Sequence, residues 1–312
     1  MLSPQTLIHD TGTTPQLQSI EGVPTRIDVA FTDKDGVEKK GIRKETEKLL
    51  KKLSPALQRL LAADEFVIYL AGACAPMRGI EQYTFGYFAQ FVSQVVLVFT
   101  NKRLLAFRVN QKGEWRQSLR GCSLGDIQSA KTTGWIVRYL RLQYGNGKKE
   151  SYWNVKSRDK AKLRVLLPKL VQAGGGQARG QAMHPICPTC AADLVERHYE
   201  CAGCGLKFLS EESLWWRSFI PGGVYFYAKH SGMGVLHAIG DSMVSLYLLL
   251  IFVGAFAVKP AQRQDVWVGM AVIAFVVLFE RSIALFHARR FIREFIPIDG
   301  SVRTVAATAG RA

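Results

Sequence analysis

Cysteine spacing constrains this chain more than any other feature. Four of its six cysteines fall in the pattern Cys-x2-Cys-x10-Cys-x2-Cys, as Cys187-Pro188-Thr189-Cys190 followed by Cys201-Ala202-Gly203-Cys204. Each Cys-x2-Cys turn presents two thiolates to one side, and the intervening residues can form a hairpin that brings the turns together. Four thiolates close a tetrahedron and leave no position open for water or substrate. Cys187, Cys190, Cys201 and Cys204 are therefore expected to hold one structural Zn2+ ion. Gly203 and Gly205 provide backbone freedom for the turns, and Leu194, Tyr199, Leu206 and Phe208 a small apolar patch. A module of about 25 residues buries too little surface to fold alone, so metal binding, worth about 10–16 kcal/mol, is its folding energy.

This pattern resembles the zinc ribbons. Thiolate ligands imply a reducing compartment, where the remaining Cys74 and Cys122, isolated in apolar or small-residue settings, stay reduced. Met1-Leu2-Ser3-Pro4-Gln5 offers neither a basic nor an apolar leader region, so no cleaved signal peptide is expected. His184 and His198 lie near the cysteines without being needed as ligands.

Downstream lie the two most apolar stretches. Residues 243–258 carry no charge, and extension back to Leu236 adds only His237 and Asp241; residues 266–286 are interrupted only by Glu280-Arg281. Both runs meet the ~20 residues that cross a bilayer. The connecting residues 259–265 carry Lys259 and Arg263, and the outer flanks carry Arg217 and Lys229, then Arg289, Arg290 and Arg293. This distribution predicts a two-span hairpin in the plasma (inner) membrane with both termini cytoplasmic. Trp215, Trp216, Tyr225, Tyr227 and Tyr247 fit an interfacial aromatic belt. Residues 219–229 are similar to the Pro-Gly…Phe-Tyr approach of small two-helix membrane-hairpin families. In an antiparallel hairpin Asp241 and Arg281 fall at similar depth, and intramembrane charges find partners, so an Asp241–Arg281 pair is expected, with independent snorkelling as the alternative.

Upstream of the cysteines, residues 1–37 are polar and read as a disordered tail with one short strand near 26–31. Residues 38–63 read as a basic amphipathic helix with the stripe Leu49, Leu50, Leu53, Leu57, Leu60 and Leu61, its polar face solvated. From Glu65 the period changes to 2, and 95–99 and 104–109 flank the polar turn Thr100-Asn101-Lys102-Arg103, a hairpin signal. Further strands follow to 155, then a helix whose apolar positions are Leu163, Leu166, Leu167, Leu170 and Val171. Val98-Phe99-Thr100-Asn101-Lys102-Arg103-Leu104-Leu105 and Leu124-Gly125-Asp126-Ile127 are similar to segments of bacterial pleckstrin-homology-like or GRAM-like domains, over about residues 60–173. That resemblance implies a small antiparallel barrel closed by a C-terminal helix, and binding of lipid headgroups or peptides rather than turnover.

The expected fold class is thus a multidomain α+β membrane protein: tail (1–37), helix (38–63), sheet domain (64–173), Gly-rich linker (174–184), zinc ribbon (185–209), interfacial segment (210–240), transmembrane hairpin (241–290) and cytoplasmic tail (291–312). The net charge is +16, and residues 1–240 carry 33 Lys/Arg against 20 Asp/Glu. A basic soluble part suits an anionic leaflet, and Lys102, Arg103, Arg108, Lys112, Arg116 and Arg120 are the candidate headgroup or partner contacts. The six histidines are scattered and no nucleophile phrase or paired carboxylates emerge, so no enzyme is expected. The reading is a membrane-anchored adaptor that docks a protein partner or anionic lipid, alone or as a homo-oligomer. The alternatives are an accessory subunit of a transport or assembly complex, with the hairpin as interface, and a membrane-tethered nucleic-acid-binding protein. Nucleic acid is disfavoured because the basic helix lacks interleaved aromatics.

Overall fold

The computed structural model describes residues 16–77, 79–173, 180–257 and 259–298. They fall into two units, one reaching Leu206 and the other formed by Lys207–Ile298. The first unit opens with β1 (Leu17–Ile20), β2 (Val23–Arg26) and the short helix α1 (Ile27–Ala30), followed by the long helix α2 (Lys40–Leu60) and β3 (Val67–Cys74). Two short helices, α3 (Gly79–Phe85) and α4 (Ala89–Val92), lead to β4 (Gln94–Thr100), β5 (Arg103–Val109) and β6 (Trp115–Ser123). Then come β7 (Ile127–Thr133), β8 (Tyr139–Tyr144), β9 (Lys149–Tyr152), helix α5 (Ser157–Ala173) and the two-residue β10 (His184–Pro185).

A seven-stranded sheet runs β1-β2-β3-β4-β5-β6-β10, and a second sheet runs β7-β8-β9. The pairings are antiparallel except β2 with β3. Why the central strands read as unbroken apolar runs follows from what covers them. Ile68, Ala71, Val95, Leu97, Phe99, Leu104, Ala106 and Cys122 point to one face, against the second sheet and Leu163, Leu167 and Leu170 of α5. Val67, Leu70, Val96, Val98, Leu105, Phe107 and Leu119 point to the other, against Leu50, Leu53 and Leu57 of α2. A strand buried on both faces has no polar register to alternate with.

In the first unit two boundaries differ from the sequence expectation. Residues 1–15 of the expected tail lie outside the described residues, but 17–30 are folded: β2 joins β3 through Thr25↔Val67, and residues 27–30 form a helix rather than a strand. Buried Arg26, paired with Asp28 at 3.0 Å, fixes that turn. Helix α2 is not free; its apolar stripe is taken up by the sheet, and only its charged face meets water. Likewise the Gly-rich linker is shorter than expected. Its residues 174–179 lie outside the described residues, whereas Ala182 and Met183 are buried in the core and His184-Pro185 pairs with Arg120-Gly121.

The second unit contains α6 (Glu212–Arg217), α7 (Gly223–Tyr227), α8 (Ser231–Ala257) and α9 (Pro260–Ile292). Helices α8 and α9 are long and apolar enough to cross a membrane, and only 6% of the most apolar window of each is buried, unlike the core helix of a soluble domain. Of the expected tail, residues 291–292 end α9 and residues 293–298 fold back. Phe208 bridges Pro297, Leu209 N–H donates to the Ile296 carbonyl at 3.0 Å, and the Phe208 and Phe295 rings meet edge-on at 5.5 Å.

Ile186, the residue after β10, sits in the α2 face of the sheet, 5% exposed. A Cβ on Gly121 would come within 2.9 Å of its Cδ1, so the strand is stripped to glycine where Ile186 packs. Truncation by Ile186→Ala is expected to cost about 2–5 kcal/mol in chemical unfolding of the purified chain, with circular dichroism of the folded state unchanged.

Candidate metal centre

Two chain turns repeat the same hydrogen-bond scheme around the four cysteines. In the first, Cys187 N–H donates to the Ala192 carbonyl at 2.8 Å, and Ala191 N–H donates to the Cys187 carbonyl at 3.0 Å. In the second, Cys201 N–H donates to the Leu206 carbonyl at 2.9 Å, and Gly205 N–H to the Cys201 carbonyl at 2.8 Å. The two turns share this hydrogen-bond pattern position by position. The residue after the second cysteine is left-handed in both, Ala191 at φ 59° and Gly205 at φ 70°. Glycine adopts that conformation freely, whereas alanine does so at a cost of about 1–2 kcal/mol.

The four sulfurs lie within 4.8 Å of one another. Cys187 Sγ is 3.6 Å from Cys204 Sγ, and Cys190 Sγ is 3.5 Å from Cys201 Sγ. A disulfide would need about 2.05 Å; four sulfurs about 2.3 Å from a central ion stand about 3.8 Å apart. The donor set therefore fits a tetrahedral thiolate-bound metal. Gly203 belongs to the same fit, because a Cβ there would crowd Cys190 Sγ at 3.2 Å. Burial pushes the Cys187 and Cys204 thiols up. Cys201 is held below its ordinary range despite burial, by the Gly203 and Cys204 N–H groups and the Cys190 and Cys187 thiols. Cys74 and Cys122 lie outside the cluster as buried thiols, both pushed up by burial.

The centre is built onto the sheet. His184-Pro185 pairs with the β6 edge, Ile186 N–H donates to the Leu119 carbonyl at 3.0 Å, and Ala191 packs on the same face as Ile186. His184 Nε2 lies 2.9 Å from Asp193 Oδ1, so it serves the turn and not the metal.

The six candidate contact cations do not form one patch. Arg103 forks onto buried Glu65, with Nε–Oε1 and Nη2–Oε2 both 2.9 Å, and also donates to the Leu60 carbonyl. Lys102 pairs with Asp64. Both cations of the hairpin turn thus clamp the link between α2 and β3. Arg120 pairs with buried Glu150 at 3.1 Å and donates to the Met183 carbonyl, while Glu150 Oε2 accepts from Tyr144 at 3.1 Å and Tyr152 at 3.3 Å. Arg108 is buried and Arg116 half-buried, leaving Lys112 exposed at the opposite end of β5 from Lys102, roughly 20 Å away at 3.4 Å per residue. Half of the set, Lys102, Arg103 and Arg120, is reached by carboxylates distant in sequence.

In the second unit Arg281 Nη1 lies 2.8 Å from Asp241 Oδ2, which also accepts from Gly222 N–H at 3.0 Å. Sequence reasoning missed the neighbours that complete this layer. His237 Nδ1 is 2.9 Å from Glu280 Oε1, and the Tyr225 ring lies 4.4 Å from the His237 ring. The i, i+4 spacing of His237 and Asp241 on one helix face was the available signal. These three ligand-type residues cluster within 4.8 Å, but Arg281 already supplies the positive charge among them. Gly222, at φ 65°, is obligatory, since a Cβ would lie 2.1 Å from the Gly234 carbonyl oxygen.

Comparison with family models finds none that matches the chain, and comparison with curated proteins finds no significant match.

Two measurements check the geometry. Cobalt(II) bound to the purified chain should give the visible bands of a tetrahedral tetrathiolate, lost in Cys204→Ser, and Gly205→Val should weaken its binding by about tenfold or more, as a β-branched residue resists φ near 70°. Arg281→Met alone should destabilise the second unit by about 3–5 kcal/mol by stranding Asp241, and Asp241→Asn added to it should recover most of the loss in thermal unfolding.

Proposed function

We propose that this chain is a membrane-anchored adaptor: a pleckstrin-homology-like sheet domain and a zinc-bound ribbon, facing the cytoplasm, held at the inner membrane by a two-span hairpin. The single observation that carries the reading is that the ribbon is part of the sheet edge, through β10 and Ile186. One rigid body then displays both surfaces, which is what docking requires and what a flexibly hung module would lack. Two sheets closed by α5 support the pleckstrin-homology-like assignment, and the tetrathiolate donor set supports zinc. Helices α8 and α9, apolar and almost wholly exposed, support the anchor. Basic residues at their outer ends, with Arg217 and Lys229 before and Arg289, Arg290 and Arg293 after, support cytoplasmic termini.

A second reading, an accessory subunit of a transport or assembly complex, is favoured by one feature of the helical unit. A pocket of about 460 Å³ opens between α8 and α9, lined by Leu236, Gly240, Val244, Ile273, Val276 and Val277 beside the charged layer. Such a groove can seat a helix of another membrane protein.

Crosslinking of the tagged chain in native membranes, with mass spectrometry of what co-purifies, separates the readings. The adaptor reading expects crosslinks to a defined protein from residues within 64–206, surviving replacement of the hairpin by an unrelated anchor. Links confined to residues 231–292, lost on that replacement, would transfer the assignment to the complex subunit. Alkaline carbonate should leave the chain in the membrane pellet; its release to the supernatant would overturn the anchor.

A further inference from the structure

The turn between β7 and β8 has no part in the metal centre, yet it is built like a device for entering a surface. The last ladder pair is Thr133↔Tyr139, so residues 134–138 project beyond the second sheet. At their tip Trp135 is 88% exposed and Ile136 82%, with Val137 beside them at 42%. Adjacent large apolar side chains at a loop end are not explained by folding, because burying them would add stability and displaying them invites aggregation.

The tip is held in shape. Gly134 is left-handed at φ 82°, and a Cβ on it would lie 1.9 Å from the Val137 carbonyl oxygen, so the turn closes only with glycine. Lys160 of α5 donates to the Gly134 carbonyl at 2.5 Å. Around the tip the charge is of one sign. Residues 131–141 contain Lys131, Arg138 and Arg141 and no Asp or Glu, and Lys160 adds a fourth cation. Arg141 lies over the Tyr139 ring at 5.7 Å. None of these four cations is spent on a carboxylate among the described residues, in contrast to Lys102, Arg103 and Arg120.

From this juxtaposition we infer that residues 134–138 form a finger that inserts Trp135 and Ile136 into an anionic lipid surface, with Lys131, Arg138, Arg141 and Lys160 on the headgroups. Tryptophan is favoured at the membrane interface, where an apolar ring and a polar N–H are both accommodated. A collar of cations gains from the negative potential of an anionic leaflet. The inference rests on the anchored reading for proximity to a bilayer, but the chemistry of the tip stands apart from it. It also moves the lipid contact from the β4–β5 hairpin, whose cations are engaged internally, to the far end of the second sheet.

The test uses the full chain in nanodiscs whose phosphatidylcholine and phosphatidylglycerol carry brominated acyl chains, which quench tryptophans at acyl depth. The emission of Trp135 is obtained as the difference between the chain and Trp135→Phe, and that of Trp267 in α9 likewise from Trp267→Phe. The expected result is quenching of the Trp135 emission by at least about twofold, falling in discs of phosphatidylcholine alone and in Ile136→Glu. Both tip residues are exposed, so thermal unfolding and metal content should be unchanged in the variants. Trp267 reads the anchor separately. If Trp267 is quenched and Trp135 is not, the finger is overturned and the tip is left to a protein partner. If Trp267 escapes quenching, the anchor fails, and the same difference measured on brominated anionic vesicles added to the chain decides the finger alone.

Discussion

Four thiol groups drawn within 4.8 Å of one another are unfavourable company unless a cation sits among them, since each ionised sulfur opposes the next. Chain architecture around Cys187, Cys190, Cys201 and Cys204 is arranged to make that proximity unavoidable. Two turns of identical hydrogen bonding aim the sulfurs inward, and Gly203 and Gly205 stand where any larger residue would crowd or strain the turns. On the metal-bound reading proposed above, metal binding and folding of residues 184–206 are one event. Because β10 and Ile186 precede the first cysteine directly, that event also completes the edge of the large sheet.

The sheet explains why so basic a chain presents fewer cations than its composition promises. Arg103 and Lys102 bind Glu65 and Asp64 to lock the end of α2 against the β4–β5 hairpin, and Arg120 joins Glu150, Tyr144 and Tyr152 to the segment entering the metal turns. Charges used in this way hold elements together and are withdrawn from ligands. Among the described residues, Lys112, the polar face of α2 and the cationic collar of the β7–β8 turn stay accessible to an external partner. The helical unit follows the same logic at smaller scale, with Asp241, Arg281, His237 and Glu280 satisfying one another and the Gly222 N–H.

Features carried by spacing were legible in the sequence. The cysteine pattern, the Thr100–Arg103 hairpin turn and the two apolar runs each depend on residues close together in the chain, and the structure brings the four cysteines together and folds the runs into α8 and α9. Features that depend on distant partners were not. The cations of the hairpin turn looked free because Asp64 and Glu65 lie 38 residues away. Residues 17–25 looked unstructured because Thr25 is a polar residue whose burial is imposed by pairing with β3. Ala182-Met183 looked like linker because two apolar residues carry no period. Trp135-Ile136 fell between two expected strands and drew no reading, because only their exposure sets them apart.

The central claim is that metal, ribbon and sheet edge fold as one body. Amide hydrogen exchange across the chain, with and without a strong chelator, tests it most directly. Metal removal should speed exchange throughout residues 184–206 and also at Leu119, Arg120 and Gly121 of β6, while β3 and β4 keep their protection. If the ribbon exchanged freely and β6 were unaffected, the ribbon would be an independent module resting on a finished sheet, and the single-body account would be wrong.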